Sequence, residues 1–182
     1  MQPRLTTIHL ESNTLRTEAL QYLIQQLEIK KVSTLECLRI RGKYKVKIAN
    51  SLLKKLKKKL KKYSSKWTDN FLGCQGLFCL IRALKHGAFP NLKILVLDSC
   101  LIQDKGANAL LCALRKGFCK ELRELSLQEN FIKRDAMEPF MKWIGRRCCP
   151  KLEIFNGYGN DISIPEYLDL GCLIPEDIKH ER

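Results

Sequence analysis

Nine cysteines, three histidines and a dense run of lysines are the residues of this chain with chemistry to offer. Cysteine and histidine raise three readings: disulfides, a zinc site, or a thiol nucleophile with its base. Spacing argues against all three. There is no CxxC pair, and an odd count leaves one thiol over in any disulfide set. Cys119 and Cys149 stand 30 residues apart, and Phe89 holds the same column one step earlier. A column that accepts phenylalanine is apolar, so these thiols read as small core residues. Cys148 and Cys149 are adjacent, and one of the two is the place where an exposed, reactive thiol is considered. Unpaired thiols point to a reducing compartment, cytoplasm or nucleus. His9, His86 and His180 are far apart and read as isolated surface residues. No Ser/His/Asp set, phosphate loop or metal-ligand spacing is present, so neither a cofactor nor an enzymatic activity is expected. The opening MQPRLTTIHL has no basic stretch leading into an apolar run, and no segment of about 20 apolar residues occurs. Neither a signal peptide nor a transmembrane helix is therefore expected.

The lysines offer electrostatics. Eleven of them, and no acid, lie between Lys43 and Lys66. The chain carries +14 in all, which leaves +3 for everything else. Within this stretch Ile48, Leu52, Leu56 and Leu60 recur every four residues, giving a narrow apolar stripe on a lysine-covered helix. Lys54, Lys55, Lys57, Lys58, Lys59, Lys61 and Lys62 are the candidate anion-binding residues. Such a segment suits an anionic membrane, a calmodulin-like groove, a nuclear import receptor or nucleic-acid phosphates. It also suits a solvated loop with no partner, because like charges at i,i+4 oppose an isolated helix.

What must position these residues is a repeat. Leu92, Leu122 and Leu152 stand 30 apart, and each opens the same phrase: LKILVLDSCLI, LRELSLQENFI, LEIFNGYGNDI. Two earlier copies begin at Leu5 and Leu35. A fixed period of this size is the signature of units that bury their apolar faces only against neighbours. The first half of each unit alternates apolar residues, as a strand does: Leu35, Leu38, Ile40; Leu92, Leu95, Leu97; Leu122, Leu125, Leu127. Gly157 weakens the fifth copy. The ninth position holds Asn13, Cys100, Asn130 and Asn160, small polar groups able to bond backbone at a buried turn; Lys43 breaks the column. The second half shows apolar spacing of i, i+1, i+4, i+5, i+8, one face of a helix: Leu80, Leu110 and Phe140 form one column, and Leu84, Leu114 and Ile144 another. Thr17, Asp104 and Asp135 are read as N-caps. Copies two and three are 57 apart, so 27 extra residues, the lysine-rich insertion at about 43–70, interrupt the second unit.

The pattern LxxLxLxx(N/C)x(L/I)xxx(G/A)xxxLxxxL resembles the leucine-rich repeat family, ribonuclease-inhibitor-like subtype, over nearly all of residues 5–163. The resemblance implies an α/β right-handed solenoid of five repeats over residues 1–163, with a curved parallel sheet on a concave face and four helices on a convex one. It also implies protein binding, and, by analogy alone, regulation of a small GTPase. The solvent-facing strand positions are then the candidate site: His9, Arg39, Val96, Ser126 and Asn156 in a middle row; Thr7, Cys37, Ile94, Glu124 and Ile154 on one side; Glu11, Arg41, Asp98, Gln128 and Tyr158 on the other. Ile94, Val96, Ile154 and Tyr158 are expected to form an exposed apolar patch with a polar rim.

The two ends differ. In residues 164–182, Ile164, Tyr167, Leu168, Leu170 and Leu173 are expected to fold over the last strand as a cap, with Pro165 and Pro175 preventing further pairing. Leu5, Ile8, Leu10, Leu15, Leu20 and Leu23 have no repeat before them. This uncapped N-terminal edge is expected to pack against another chain, a second copy or upstream repeats.

Overall fold

A computed structural model describes residues 5–11, 17–29, 32–42 and 72–180. Strands and helices alternate in chain order: β1 (Thr7–Glu11), α1 (Thr17–Ile29), β2 (Cys37–Arg41), α2 (Gly73–Lys85), β3 (Ile94–Val96), α3 (Gln103–Arg115), β4 (Glu124–Ser126), α4 (Arg134–Gly145), β5 (Ile154–Asn156) and α5 (Ile164–Gly171). Each strand is followed by a helix, and a helical crossover is what lets the next strand run parallel to the last. The sheet has the order β1-β2-β3-β4-β5, with every pairing parallel. Its register is that of the sequence repeat: His9, Arg39, Val96, Ser126 and Asn156 lie side by side across the five strands. Asn13, Leu15, Lys43 and the lysine-rich insertion, with Lys54, Lys55, Lys57, Lys58, Lys59, Lys61 and Lys62, lie outside the described residues.

The core is the layer between sheet and helices. Leu38, Leu95, Leu125 and Phe155 line one row of the sheet, and Ile40, Leu97 and Leu127 the next, all essentially inaccessible. The helices contribute the expected columns, Leu80, Leu110 and Phe140, then Leu84, Leu114 and Ile144. Gly157 in the fifth strand phrase has a packing reason: a Cβ there would meet the Met137 thioether at 3.1 Å and the Phe155 ring at 3.2 Å. Phe89, Cys119 and Cys149 are buried, as their column implies, and of the adjacent pair Cys148 is the exposed one. After α2 and α3 the chain turns on Gly87 and Gly117 at φ 70° and 76°, the left-handed backbone that glycine adopts freely. Arg147 takes the equivalent place after α4 at φ 55°.

The ninth-position residues stitch unit to unit. The Asn130 side-chain carbonyl accepts the N–H groups of Cys100 (2.9 Å) and Ile102 (3.2 Å), and its amide donates to the carbonyls of Leu97 (2.6 Å) and Gln128 (3.0 Å). Asn160 repeats this one unit on, accepting from Asn130 and Ile132 and donating to Leu127 and Gly157. Cys100 fills the same place with a thiol that donates to Ile40 at 3.1 Å. Burial pushes that thiol well above the ordinary range, so it stays protonated and keeps its donor.

Three local expectations are corrected. Asp104 sits in the first turn of α3 but spends its carboxylate on the Lys133 N–H of the next unit, at 2.7 Å. Asp135 lies inside the first turn of α4, whose N-cap is Lys133, with no capping side chain. The tail forms a fifth helix, α5, started by a capping box of Ser163 and Glu166 with Pro165 at its first turn. From this tail Tyr167, Leu170, Ile174 and Ile178 are buried, whereas Ile164, Leu168 and Leu173 stay exposed. Nor do the prolines stop pairing: Lys179 bridges β5, accepting from the Phe155 N–H (2.9 Å) and donating to the Glu153 carbonyl (2.8 Å). Pro175 lies four residues before that contact and leaves it free to form.

Candidate binding face

Residues that alternate with the core rows point to the face of the sheet away from the helices. The rows drawn from the sequence are therefore present, but their exposure is uneven. His9, Glu11 and Arg41 at one side, and Ile154 and Tyr158 at the other, are exposed. Arg39, Ile94, Glu124, Gln128 and Asn156 are half-buried. Val96, Asp98 and Ser126 are buried, at 1%, 2% and 6% exposure, contrary to the expectation that these positions meet solvent. Val96 thus drops out of the apolar patch.

The physical reason is a lattice of side chains laid across the strands. Arg39 on β2 reaches Glu124 on β4 at 3.0 Å, spanning β3, where Val96 stands in register with Arg39. Desolvation is the largest single influence on Arg39 and works against its charge, but Glu124 and Cys37 together outweigh it, so the guanidinium is held above its ordinary value. Arg41 donates to Asp98 at 2.8 Å, and this hydrogen bond is the main reason its guanidinium is also held up. Asp98 further accepts from the Ser126 hydroxyl at 2.5 Å and from the Gln128 N–H at 3.2 Å. Buried and fully engaged, Asp98 fixes Arg41 and Ser126 in place; it offers nothing directly to a ligand. Ser99 donates to Glu129 at 2.7 Å beside this cluster. Among the described residues no buried side-chain nitrogen or oxygen lacks a partner.

At the far side of the sheet the Tyr158 ring meets the Tyr167 ring edge-on, with centroids 5.9 Å apart. The Tyr167 hydroxyl accepts the Gly157 N–H at 3.2 Å, which anchors the pair. Tyr158 and Ile154 leave 39% and 37% of their surface open there. The face is therefore graded, with a polar, hydrogen-bonding half on β1 and β2, whose cations Arg39 and Arg41 both lie on β2, and an aromatic, aliphatic half on β5.

The histidines are not isolated. His9 lies on this face with its Nε2 3.6 Å from the Cys37 thiol, and Cys37 is 8% exposed. His86 Nδ1 meets Glu28 at 2.6 Å, tying α2 to α1, and His180 Nδ1 lies 3.2 Å from the Ile178 carbonyl. Sequence reasoning missed the first two contacts because each joins different units, whereas His180 meets backbone only two residues away. The repeat register was the signal available: His9 and Cys37 sit on neighbouring strands, one pair apart. No group of three metal-ligating side chains gathers among the described residues. On the helix side, a cleft of about 560 Å³ is lined by Arg115, Asp135, Glu138, Lys142, Arg146 and Cys148, among others. Among its charged side chains Lys142 and Glu138 pair at 2.6 Å.

No described helix is long and apolar enough to cross a membrane. Compared with known proteins, the chain matches no family model, and no curated protein matches it significantly.

Proposed function

We propose that the chain is a leucine-rich repeat protein of the ribonuclease-inhibitor-like kind. In this reading the helix-free face of its sheet is the concave surface of a short solenoid and holds a protein partner. The 30-residue register and the asparagine side chains stitching each unit to the one before support the family reading. The observation that carries the binding reading is the fixed polar lattice of Arg39–Glu124 and Arg41–Asp98–Ser126 beside exposed Ile154 and Tyr158. Polar side chains already held in place lose little freedom on binding. A tyrosine with an open face is the kind of anchor that dominates protein interfaces, set here within a polar rim. All nine cysteines are unpaired, which fits a reducing compartment, cytoplasm or nucleus.

A photo-crosslinking side chain at Tyr158, compared with one at Asn108 on α3, tests the assignment in the native cell. A discrete protein adduct is expected from the Tyr158 site alone, and Arg39→Glu should diminish it by breaking the lattice at Glu124. Equal adducts from both sites, or an adduct indifferent to Arg39→Glu, would move the binding surface elsewhere.

A further inference from the structure

We infer that Cys37 is a modification site: a thiol with His9 as its base and Arg39 as a neighbouring cation, which exchanges with small disulfides at the helix-free face of the sheet. Cys37 stands in the first row of that face, in register with Thr7 and Ile94. It is 8% exposed, yet it lies outside the apolar cluster that holds Cys100, Cys119 and Cys149. Its partners differ from those of the other thiols. Cys74, Cys100, Cys148, Cys149 and Cys172 direct their sulfur at backbone carbonyls, which cannot take up a proton. Among the described thiols Cys37 alone meets a base, the His9 Nε2 at 3.6 Å. With its own proton on Nδ1, that imidazole accepts at Nε2. Arg39, two residues along β2, reaches the same sulfur from a position held by Glu124. A nucleophile, a base within reach and a fixed positive group are the parts that activate a cysteine.

The step is thiol–disulfide exchange. As Sγ attacks one sulfur of a disulfide R–S–S–R, the Cys37 proton passes to His9 Nε2. A bond forms between Cys37 and that sulfur, the old S–S bond breaks, and the departing thiolate takes the proton from the imidazolium to leave as RSH. Cys37 is oxidised and the released thiol is the reduced product, so the disulfide is the only oxidant required. Arg39 favours the negative sulfur while the new bond is made. Access depends on His9, an exposed side chain, and exposed side chains change rotamer within nanoseconds, far faster than the sulfur reacts. Cys149, 7% exposed, has no such neighbour: its sulfur sits in the apolar cluster and meets the Leu122 carbonyl. The charged groups sharing the face with His9 are Glu11 on its own strand, Arg39 and Arg41 on β2, Asp98 beyond β3 and Glu124 on β4. Glu18 and Glu28 belong to α1, behind the sheet. An adduct on Cys37 would stand beside the Arg39–Glu124 pair, on the face assigned above to a protein partner. The chemistry stands whether or not that face holds one.

The test treats the reduced full chain with glutathione disulfide near pH 7 and near pH 9.5, and follows mixed-disulfide formation at each cysteine by peptide mass mapping. At pH 7 Cys37 should react about fivefold faster than Cys112, an exposed thiol with no base in reach among the described residues. His9→Ala separates a base from a cover. Removing a cover would quicken the reaction. Removing a base should slow it about tenfold at pH 7 and leave it within about twofold near pH 9.5, where hydroxide takes the proton unaided. Arg39→Gln should lower the rate about threefold, and Arg39→Lys should restore it. Should His9→Ala fail to fold by circular dichroism, His9→Gln fills the same place without a base and carries the same expectation. Four results would each overturn the assignment: Cys37 no faster than Cys112 at pH 7; a rate unchanged or raised when the imidazole is lost; an equal slowing at both pH values; or Arg39→Gln as fast as the native chain.

Discussion

Asn130 carries the most informative single substitution. Its side chain is 0% exposed and makes four hydrogen bonds, two received from N–H groups and two given to carbonyls, all but one of them to the preceding unit. Asn130→Ala strands those four backbone groups in a space too small for bulk solvent. An unsatisfied buried polar group costs about 1–3 kcal/mol, but a single water in the vacated space can re-bond several. The net loss should be about 3–5 kcal/mol, against about 5–15 kcal/mol for a whole domain. In melting temperature, at about 2–4 °C per kcal/mol for a chain of this size, that is roughly 6–20 °C. Two further variants separate hydrogen bonding from volume. Asn130→Cys borrows the arrangement of Cys100, keeping one donor, and should cost about 1–2 kcal/mol less than alanine. Asn130→Asp can still accept from both N–H groups, but sets a buried charge against the Leu97 and Gln128 carbonyls; at neutral pH it should be the worst of the three. Denaturant unfolding followed by circular dichroism, with unchanged slope, measures all of them. An alanine cost below about 1.5 kcal/mol, or aspartate tolerated like asparagine, would refute the stitching role.

Two further outcomes are expected. A neutral alkylating reagent near pH 8 should modify Cys112, Cys148 and Cys172 quickly. Cys100, Cys119 and Cys149 should resist until the protein unfolds, since burial takes their contacts with the reagent away and raises Cys119 to about 12 and Cys149 to about 11; peptide mass mapping that finds Cys149 labelled as fast as Cys148 would contradict this. The second concerns acid. Hydrogen bonds from Arg147, Ser163, Lys151 and Lys142 hold Asp177, Glu166, Glu121 and Glu138 respectively below their ordinary values of 3.8 and 4.5. A carboxylate depressed in the folded state contributes stability above its unfolded pKa and loses it as pH falls through the folded one. Stability should therefore hold down to about pH 5 and decline below it, by a small, salt-sensitive amount because these pairs are exposed. Thermal melts at pH 6, 4 and 3 that coincide would contradict it.

The strand and helix columns were legible because both periods belong to single units: alternation gave Leu38/Ile40 and Leu95/Leu97, and helical spacing gave Leu110/Leu114. The parallel register of all five strands followed from the 30-residue repeat. What alternation could not show is whether an outward residue meets solvent. Val96, Asp98 and Ser126 point to the correct face but are buried beside Arg39, Glu124 and Arg41, side chains from other units whose reach depends on distance across the sheet. Asp104 reaching Lys133 and His86 reaching Glu28 were hidden for the same reason. The tail was half legible: its apolar residues announced a cap, but Lys179 pairing with β5 is a single bridge without a strand pattern to announce it. The lysine-rich insertion, the other candidate site, falls outside the described residues.

The asparagine bonds run in one direction, and that bears on the order in which the chain can be made. Asn130 satisfies the turn of the unit before it, Asn160 does the same for the next, and Lys179 closes the last strand. Each of these three units is thus completed by residues synthesised roughly 25–30 positions later. At about 5–20 residues per second, a growing chain waits roughly 2–6 s between finishing a turn and receiving the side chain that satisfies it. At every moment of synthesis, then, the newest unit carries open N–H groups next to a fresh strand edge. The outer edge of β5 is covered only once Lys179 has been added.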